Sequence, residues 1–287
     1  MWAKRVHDCR PQVLRQELPG PAQSTHVLPA LLSMSTPAPT RLLRLLTFNI
    51  QAGAKTNEMR EYVTRGWQSV LPNREKQGNL GAVAKLAGDY DIVALQEADS
   101  HSLRSGFRHQ VELLAESAGF PFWTHQRNRA LTLASPGNGV LARIEPSEVL
   151  AHKLPGRIPG RGVLELRFGT HHDALRVFVA HLSLTPNGRK RQAEYLAEVI
   201  GDARHAVIMG DFNCEPDAAA LRPLFDHTRL RPAPHLPTFP AWDPIRSIDQ
   251  ILFTAALRVR RYEVIGLHVS DHLPIGAEIE LPLSAIA

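Results

Sequence analysis

Polar side chains that can bind a metal ion or move a proton follow several strongly apolar stretches of this sequence. The run AVIMG, for example, leads directly into Asp211, Phe212 and Asn213. Short apolar runs of this kind are typical of buried strands. The polar residues found at the ends of such runs are Asn49, Glu97, His181, Asp211 and Asn213. Because ligand sites in α/β sheets lie outside the carboxyl ends of the strands, we expect these side chains to meet at one edge.

Two further segments place acidic residues before an apolar run instead of after it. Asp249 stands near the start of IDQILF, and Asp271 and His272 precede PIGAEIEL. A strand that runs antiparallel to its neighbours presents its first residues at the edge where the others end. These two segments therefore extend the predicted cluster with two carboxylates and a second histidine.

The residue types in this cluster suit one kind of chemistry. Carboxylate and amide oxygens are hard ligands of the kind that Mg²⁺ and Mn²⁺ prefer, and the cluster lacks the cysteines of a structural zinc site. A metal ion with few protein ligands keeps bound waters and can hold a phosphate. A nearby Asp can accept a proton from water, and a His oriented by a second Asp can bond a phosphoryl oxygen. The cluster therefore predicts metal-assisted hydrolysis of a phosphoester.

Each residue also has an ordinary structural interpretation. A single Asn or Asp after a strand is usually a turn or cap residue, so the prediction depends on the number of such ends. His171 and His172 lie in GTHHDA between two predicted strands, and we interpret them as exposed turn residues. Cys214 adjoins Asn213, but a nucleophilic thiol also needs an activating base, and we do not predict one here.

Strands and helices alternate from residue 41 onward. The predicted strands cover 42–50, 91–97, 137–144, 162–168, 175–182, 206–213, 248–253, 260–267 and 274–281. The predicted helices cover 79–88, 108–119 and 189–200, and glycines mark their ends. Helices separate the early strands, while hairpins fill the middle and the end of the chain. This order favours an α/β (α+β) fold with mixed sheets covered by helices over a purely parallel sheet.

Composition bounds the size and surroundings of the domain. The chain has 287 residues, of which 44% are hydrophobic, so it can form a large core. Residues 1–40 are rich in Pro, Gln, Ser and Arg, and we predict a disordered extension before a domain at 41–285. Our hypothesis is that Met34 is the natural start.

No apolar run approaches the ~20 residues of a membrane span. Two cysteines cannot form a disulfide framework, which favours a reducing, cytoplasmic setting.

The ordered motifs resemble those of the endonuclease/exonuclease/phosphatase superfamily, which includes pancreatic-type deoxyribonuclease, abasic-site endonucleases, neutral sphingomyelinases and inositol polyphosphate 5-phosphatases. The resemblance covers about residues 42–282. The motifs are, in order, LTFNI, IVALQE, GNGVLAR, RGVLELRF, VAHLSL, GDFN, IDQILF and SDHLPI. The resemblance implies a four-layer sandwich, in which two mixed sheets pack face to face with helices outside. It also implies a phosphodiesterase that depends on Mg²⁺ or Mn²⁺.

The resemblance further implies a role for each motif residue. On the metal side, Glu97 is similar to the metal-binding glutamate, Asn49 to the amide that supports the metal, and Asp271 to a second acid. On the substrate side, Asp211 is similar to the acid that acts on the attacking water, and Asn213 to the amide that holds a phosphate oxygen. His272 is similar to the histidine that contacts the scissile phosphate, and Asp249 to the carboxylate that orients this histidine. His181 matches a further phosphate-side histidine, and Arg161 a phosphate-contacting arginine.

The substrate stays open between two classes of phosphodiester. The formal charge of +5 fits a nucleic acid, whereas an aromatic content of 6% offers little for stacking bases. Gln51 stands where abasic-site endonucleases carry an acid. The segment HLSL, followed by Arg189 and Gln192 and later by TFP, is more similar to bacterial relatives of unassigned substrate and to the sphingomyelinase-like branch. A phospholipid headgroup is thus the alternative to DNA or RNA. A catalytically silent phosphate-binding module is a third possibility, but the chain keeps every strong motif position.

Overall fold

The computed structural model describes residues 39–51, 74–100, 109–127, 136–156 and 161–286. The predicted N-terminal extension lies outside these ranges except for Pro39 and Thr40, and Thr40 already belongs to the first strand. The hypothesis that Met34 starts the chain also falls outside the described residues. In the part of the chain that is described, no helix has the length and apolar character needed to cross a membrane.

The described residues form strands and helices in the alternating order that the sequence predicts. The strands are β1 (Thr40–Asn49), β2 (Ile92–Asp99), β3 (Phe122–Arg127), β4 (Pro136–Ala142), β5 (Glu148–Lys153), β6 (Gly162–Phe168), β7 (Leu175–His181), β8 (Ala206–Asp211), β9 (Leu230–Arg231), β10 (Asp249–Thr254), β11 (Arg258–Val264) and β12 (Ile275–Pro282). The helices are α1 (Arg74–Ala87), α2 (Gln110–Ala118), α3 (Pro186–Ile200) and α4 (Arg222–His227).

The described strands assemble into two mixed sheets of six strands each. The first sheet has the order β11-β12-β1-β2-β4-β3, and the second has the order β5-β6-β7-β8-β10-β9. Among these strands, each sheet has one parallel pair, which lies at its middle: β1 with β2 in the first sheet and β7 with β8 in the second. All other neighbouring strands described here are antiparallel. The prediction of mixed sheets is therefore confirmed.

Alternation along the central strands produces the layers. In β1, Leu43 and Leu45 belong to the core between the sheets, while Leu46 and Phe48 face the helices. The two outer cores are formed by the first sheet with α1 and α2, and by the second sheet with α3 and α4. Successive side chains of a strand point to opposite faces, so a strand covered on both sides must be apolar throughout. The predicted four-layer sandwich is confirmed.

The first and last strands of the described domain pair with each other. β12 lies antiparallel to β1 from Thr40 opposite Pro282 to Thr47 opposite Ile275, and β2 occupies the other side of β1. The strand that carries Asn49 is therefore an interior strand of its sheet. Its polar end is held in place by neighbours that come from distant parts of the chain.

The hairpin predicted between 162–168 and 175–182 is also present. β6 and β7 pair antiparallel, and His171 and His172 are exposed in the connecting turn. Helix α3 starts at Pro186, earlier than predicted, because the Thr185 side chain accepts a hydrogen bond from the Gly188 amide and caps the helix. Proline is tolerated in the first turn because its missing N–H would have no helical partner there.

Candidate active site

Asp211 stands at the centre of the strand ends that the sequence predicts to converge. The strand register places His181 of β7 and Asp249 of β10 directly opposite Asp211 on its two sides. The Asn49 side chain reaches Asp211 from the other sheet, and its Nδ2 donates a hydrogen bond of 3.1 Å to Asp211 Oδ2. The site therefore lies between the two sheets, at the edge where the parallel pairs end.

The Asp211 carboxylate is held on both oxygens. The backbone amide of Asn213 donates to Oδ1 over 2.8 Å, and His181 Nε2 lies 3.3 Å from Oδ2. Burial raises the pKa of Asp211 to about 7, and the charge of His272 opposes this rise. A carboxylate with this pKa can accept a proton near neutral pH, which is what general base catalysis requires.

His272 and Asp249 form a buried pair beside Asp211. His272 Nδ1 lies 2.8 Å from Asp249 Oδ2, and His272 Nε2 lies 4.0 Å from Asp211 Oδ2. Burial on its own lowers the pKa of His272, but the charge and hydrogen bond of Asp249 outweigh it and raise the pKa to about 10. His272 is then an imidazolium at neutral pH, and its Nε2–H is free of Asp249 and can donate to an anionic oxygen.

Thr238 and Phe239 fix this pair, although the sequence assigned them no role. The Thr238 hydroxyl donates to Asp249 Oδ2 over 2.6 Å, and the backbone carbonyl of Thr238 accepts from the Leu273 amide over 2.9 Å. The Phe239 ring lies 4.9 Å from the His272 ring. Thr238 thus contacts both the orienting carboxylate and the backbone next to the histidine. The motif TFP was the available signal, but nothing in the local sequence shows which residues it contacts.

Thr238→Val is expected to lower turnover by about 10- to 150-fold, because it removes the hydroxyl that holds Asp249 and leaves the shape nearly unchanged. A hydrogen bond to a charged group contributes roughly 1.5–3 kcal/mol, and each 1.4 kcal/mol is about tenfold in rate. Steady-state kinetics would measure the loss. Thr238→Ser keeps the hydroxyl and serves as the control. Equal activity of the Val variant and the wild type would show that Thr238 does not orient the pair.

Glu97 lies where the ladder between β2 and β4 is interrupted. The register shifts between Leu95 and Ala98, and Glu97 has a φ of +57°. A bulge of this kind redirects a side chain at the end of a strand. Gln51 and Asn213 also have positive φ, at +44° and +55°, and these three are the non-glycine residues with positive φ in the described part of the chain. Glu97 lies at the bulge inside β2, while Gln51 and Asn213 follow the ends of β1 and β8. Strained backbone is common at functional sites.

Arg161 is partly buried, and the charges of two carboxylates of the site act on it. Burial lowers the pKa of Arg161, and the charges of Asp211 and Glu97 oppose this change. Burial also lowers the pKa of His181 well below its usual value, and the charges of Arg161 and His272 lower it further. His181 is therefore a neutral imidazole at pH 7, between two cations and Asp211.

The segment Ser270–His272 is fastened to the end of β1. The Ser270 hydroxyl donates to the Asn49 carbonyl over 2.7 Å, and the Asp271 carbonyl accepts from the Ala241 amide over 2.7 Å. Asp271 is buried, and its charge contributes to the raised pKa of His272. The predicted metal-side acid is thus placed next to both Asn49 and the histidine pair.

Two sets of side chains offer ligands for a metal ion. Ligand atoms of Asp211, Asp249 and His272 all lie within 4.8 Å of one another. In that set, however, His272 Nδ1 and Asp249 Oδ2 are already bonded to each other. The predicted set of Glu97, Asn49 and Asp271 would supply hard oxygens of the kind that Mg²⁺ and Mn²⁺ prefer. The assignment of the metal to this second set stays a prediction.

Gln192 and Arg189 of α3 hold the loop that follows His181. Gln192 Oε1 accepts from the Ser183 amide over 2.7 Å, and Arg189 Nη1 donates to the carbonyls of Ser183 and Leu184 over 3.1 and 2.8 Å. Cys214 is a free, buried cysteine, and burial raises the pKa of its thiol to about 11. A thiol of this kind is a poor nucleophile.

Residues 46–272 match the sequence model of the Endonuclease/Exonuclease/phosphatase family, which is most of the chain and includes every residue placed in the site. The chain belongs to this family. Family members are hydrolases that act on phosphoester bonds and typically use divalent metal ions. The family resemblance inferred from the motifs is therefore confirmed.

One relative is similar to this chain in sequence, and two solved structures are similar to it in fold. The uncharacterized protein YbhP of Escherichia coli (strain K12) is 31% identical over 220 residues, which cover 67% of this chain and 83% of YbhP. The solved structure of an endonuclease/exonuclease/phosphatase from Beutenbergia cavernae DSM 12333 has a TM-score of 0.63 at 19% identity, and covers 84% of this chain and 72% of that one. The mannosyl-6-phosphatase Bt3783 of Bacteroides thetaiotaomicron VPI-5482 has a TM-score of 0.57 at 17% identity, with coverages of 83% and 99%. The two structures support the fold alone.

Proposed function

We propose that the protein is a divalent-metal-dependent phosphodiesterase, in which water attacks phosphorus and a P–O bond breaks. The observation that carries this proposal is the surroundings of Asp211. Its carboxylate is held by Asn49 and the Asn213 amide, and it faces the Asp249–His272 pair across the strand ladder. A base and a cationic donor thus lie side by side, with Asp211 Oδ2 4.0 Å from His272 Nε2.

A metal ion would be held by Glu97 and Asp271 with support from Asn49, and would neutralise charge on the phosphate. Asp211 accepts a proton from the attacking water, because its oxygens point into the site and its hydrogen bonds fix their direction. The mechanism requires a base whose position is fixed and which is shielded from bulk solvent, and Asp211 is buried.

The phosphate itself would be bound by donors from four segments that lie at strand ends. His272, oriented by Asp249, and Arg161 supply positive charge toward the phosphoryl oxygens. Asn213 uses one amide hydrogen to bond the Leu182 carbonyl over 3.0 Å, so its second amide hydrogen can donate to a phosphate oxygen. Neutral His181 can donate to the substrate or to Asp211. Donors aimed at developing charge are usually the largest contribution to such a reaction.

Hydrolysis of bis(p-nitrophenyl) phosphate tests the proposal directly. We expect turnover with Mg²⁺ or Mn²⁺, loss of turnover with EDTA, and recovery when the metal is added back. p-Nitrophenyl phosphate, a monoester, is measured in parallel because one structural neighbour carries the name of a phosphatase. If folded protein hydrolyses neither compound with either metal, the proposal is wrong. Turnover of the monoester alone would replace the phosphodiesterase by a phosphatase.

A substrate panel then separates nucleic acids from lipid headgroups. It contains single-stranded DNA, duplex DNA with and without abasic sites, RNA, sphingomyelin-like lipids and sugar phosphates. Activity on a nucleic acid should fall steeply as salt rises, because each neutralised phosphate releases counterions on binding. Activity on a lipid headgroup should depend much less on salt. The net charge of +5 supports the first class, and the HLSL form of the loop after β7 supports the second.

A further inference from the structure

Asn138 of β4 is a fully buried amide that connects the two sheets. Its Nδ2 donates to the Gly162 carbonyl over 2.8 Å and lies 3.4 Å from the Val179 carbonyl. Both acceptors belong to the second sheet, whereas Asn138 belongs to the first. Because both contacts are to carbonyl oxygens, the NH₂ group must be the end that points toward the second sheet.

The other end of this amide has no hydrogen-bond partner among the described residues. Asn138 Oδ1 is buried and unpaired. Burying a polar group without a partner destabilises a folded protein, and an apolar residue of the same shape would avoid this penalty. Asn138 is therefore a poor choice for stability alone. The benefit that offsets this cost must come from the donor end, which contacts Gly162.

Gly162 is the residue directly after Arg161. The Arg161 carbonyl accepts from the Leu154 amide over 3.1 Å, and the Gly162 carbonyl accepts from Asn138. A Cβ at Gly162 would lie 2.5 Å from Gln126 Oε1, so the backbone passes unusually close to the first sheet. Gln126 is the cross-strand neighbour of Asn138. The backbone that carries Arg161 is thus held on one side by Leu154, which follows β5, and on the other by Asn138 of the first sheet.

We infer that Asn138 is a positioning residue, which fixes the backbone at Gly162 so that the Arg161 guanidinium is held over the phosphate site. This inference rests on the proposed function, because it assigns Arg161 to the phosphate. It explains why an amide with an unpaired oxygen occupies the interface between the sheets. It also predicts that Asn138 acts only through Arg161.

Asn138→Leu keeps the volume close and removes the donor. With bis(p-nitrophenyl) phosphate and Mn²⁺, we expect kcat/KM to fall by about 10- to 100-fold, the size of effect that a misplaced contact group produces. We expect the melting temperature to stay the same or to rise, since the unpaired oxygen is also removed. Asn138→Ala provides a second variant without the donor if the Leu variant does not fold. In an Arg161→Ala background, Asn138→Leu should cause no further loss, because the two residues act as one unit.

Thr254→Val is the matched control. Thr254 is also a buried polar residue, and its hydroxyl donates to the Arg204 carbonyl over 2.8 Å and accepts from the Ala206 amide over 3.0 Å, at the opposite end of β8 and β10. This variant should lower the melting temperature and leave kcat/KM unchanged. An inactive wild type would refute the proposed function. If the wild type is active, three results would overturn this inference alone. They are an unchanged kcat/KM of Asn138→Leu, an unchanged kcat/KM of Arg161→Ala, and losses that multiply in the double variant.

Discussion

Asp211→Asn is expected to lower turnover by about 10²- to 10⁴-fold, the range that general base catalysis contributes. The substitution keeps the shape of the side chain and removes its ability to accept a proton from water. The same change should raise the stability of the metal-free protein. Burial raises the pKa of Asp211 from 3.8 to about 7, so the folded state binds this proton more tightly than the unfolded state. The ionised carboxylate therefore destabilises the fold increasingly from pH 3.8 to about 7.

Two measurements check this prediction, namely turnover with saturating metal and thermal unfolding in EDTA at pH 7. Asp217→Asn is the control, because Asp217 lies in the same segment with 76% of its side chain exposed. That variant should match the wild type in both measurements. Unchanged turnover of Asp211→Asn would remove Asp211 from the mechanism. A loss of both activity and stability would assign Asp211 a mainly structural role.

His272→Ala is expected to lower turnover by about 10²- to 10³-fold, as does the loss of one preorganised donor to a developing anion. Asp249→Asn should produce a comparable loss, because Asp249 holds His272 Nδ1 over 2.8 Å and keeps the ring charged. The double variant should be little worse than the His272 variant. Residues that act as a unit give non-additive losses of this kind.

Kinetics of the two single variants and the double variant would test this coupling. His172→Ala is the matched control, since 92% of that side chain is exposed in the hairpin turn. It should leave turnover unchanged. A His272→Ala enzyme close to wild type would exclude His272 from contact with the reacting phosphate. Losses that multiply in the double variant would show that Asp249 and His272 act separately.

The central strands and their polar ends were predictable because burial on both faces leaves a signal in the local sequence. β8 reads as a continuous apolar run and β1 as a mostly apolar one, and both end at polar residues that lie in the site. The edge strands β3 and β5 leave no such signal. β3 reads FWTHQR and β5 reads EVLAHK, and each is half exposed at the edge of its sheet. Polar and apolar residues alternate too weakly there to separate a strand from a loop.

The residues that support the site could not be predicted for a different reason. Thr238 contacts Asp249, 11 positions away, and Asn138 contacts Val179, 41 positions away. Such contacts depend on how two sheets or two loops pack, which has no period along the chain. The side chains predicted for the site stand out because several polar residues follow or precede apolar runs in the same chain. Thr238 and Asn138 are common residue types in ordinary positions, so only their surroundings reveal what they do.

The pairing of β12 with β1 has a consequence for how activity is acquired during folding. Ser270 bonds the Asn49 carbonyl across 221 positions of sequence, and Asn49 bonds Asp211 across 162. Contacts between such distant segments form late, because long loops must close first. A nascent chain that ends before Ser270 lacks His272 and also β12, the strand that flanks β1. Under the proposed function, activity is therefore expected only after the last strand has docked, and its recovery on refolding would measure that final step.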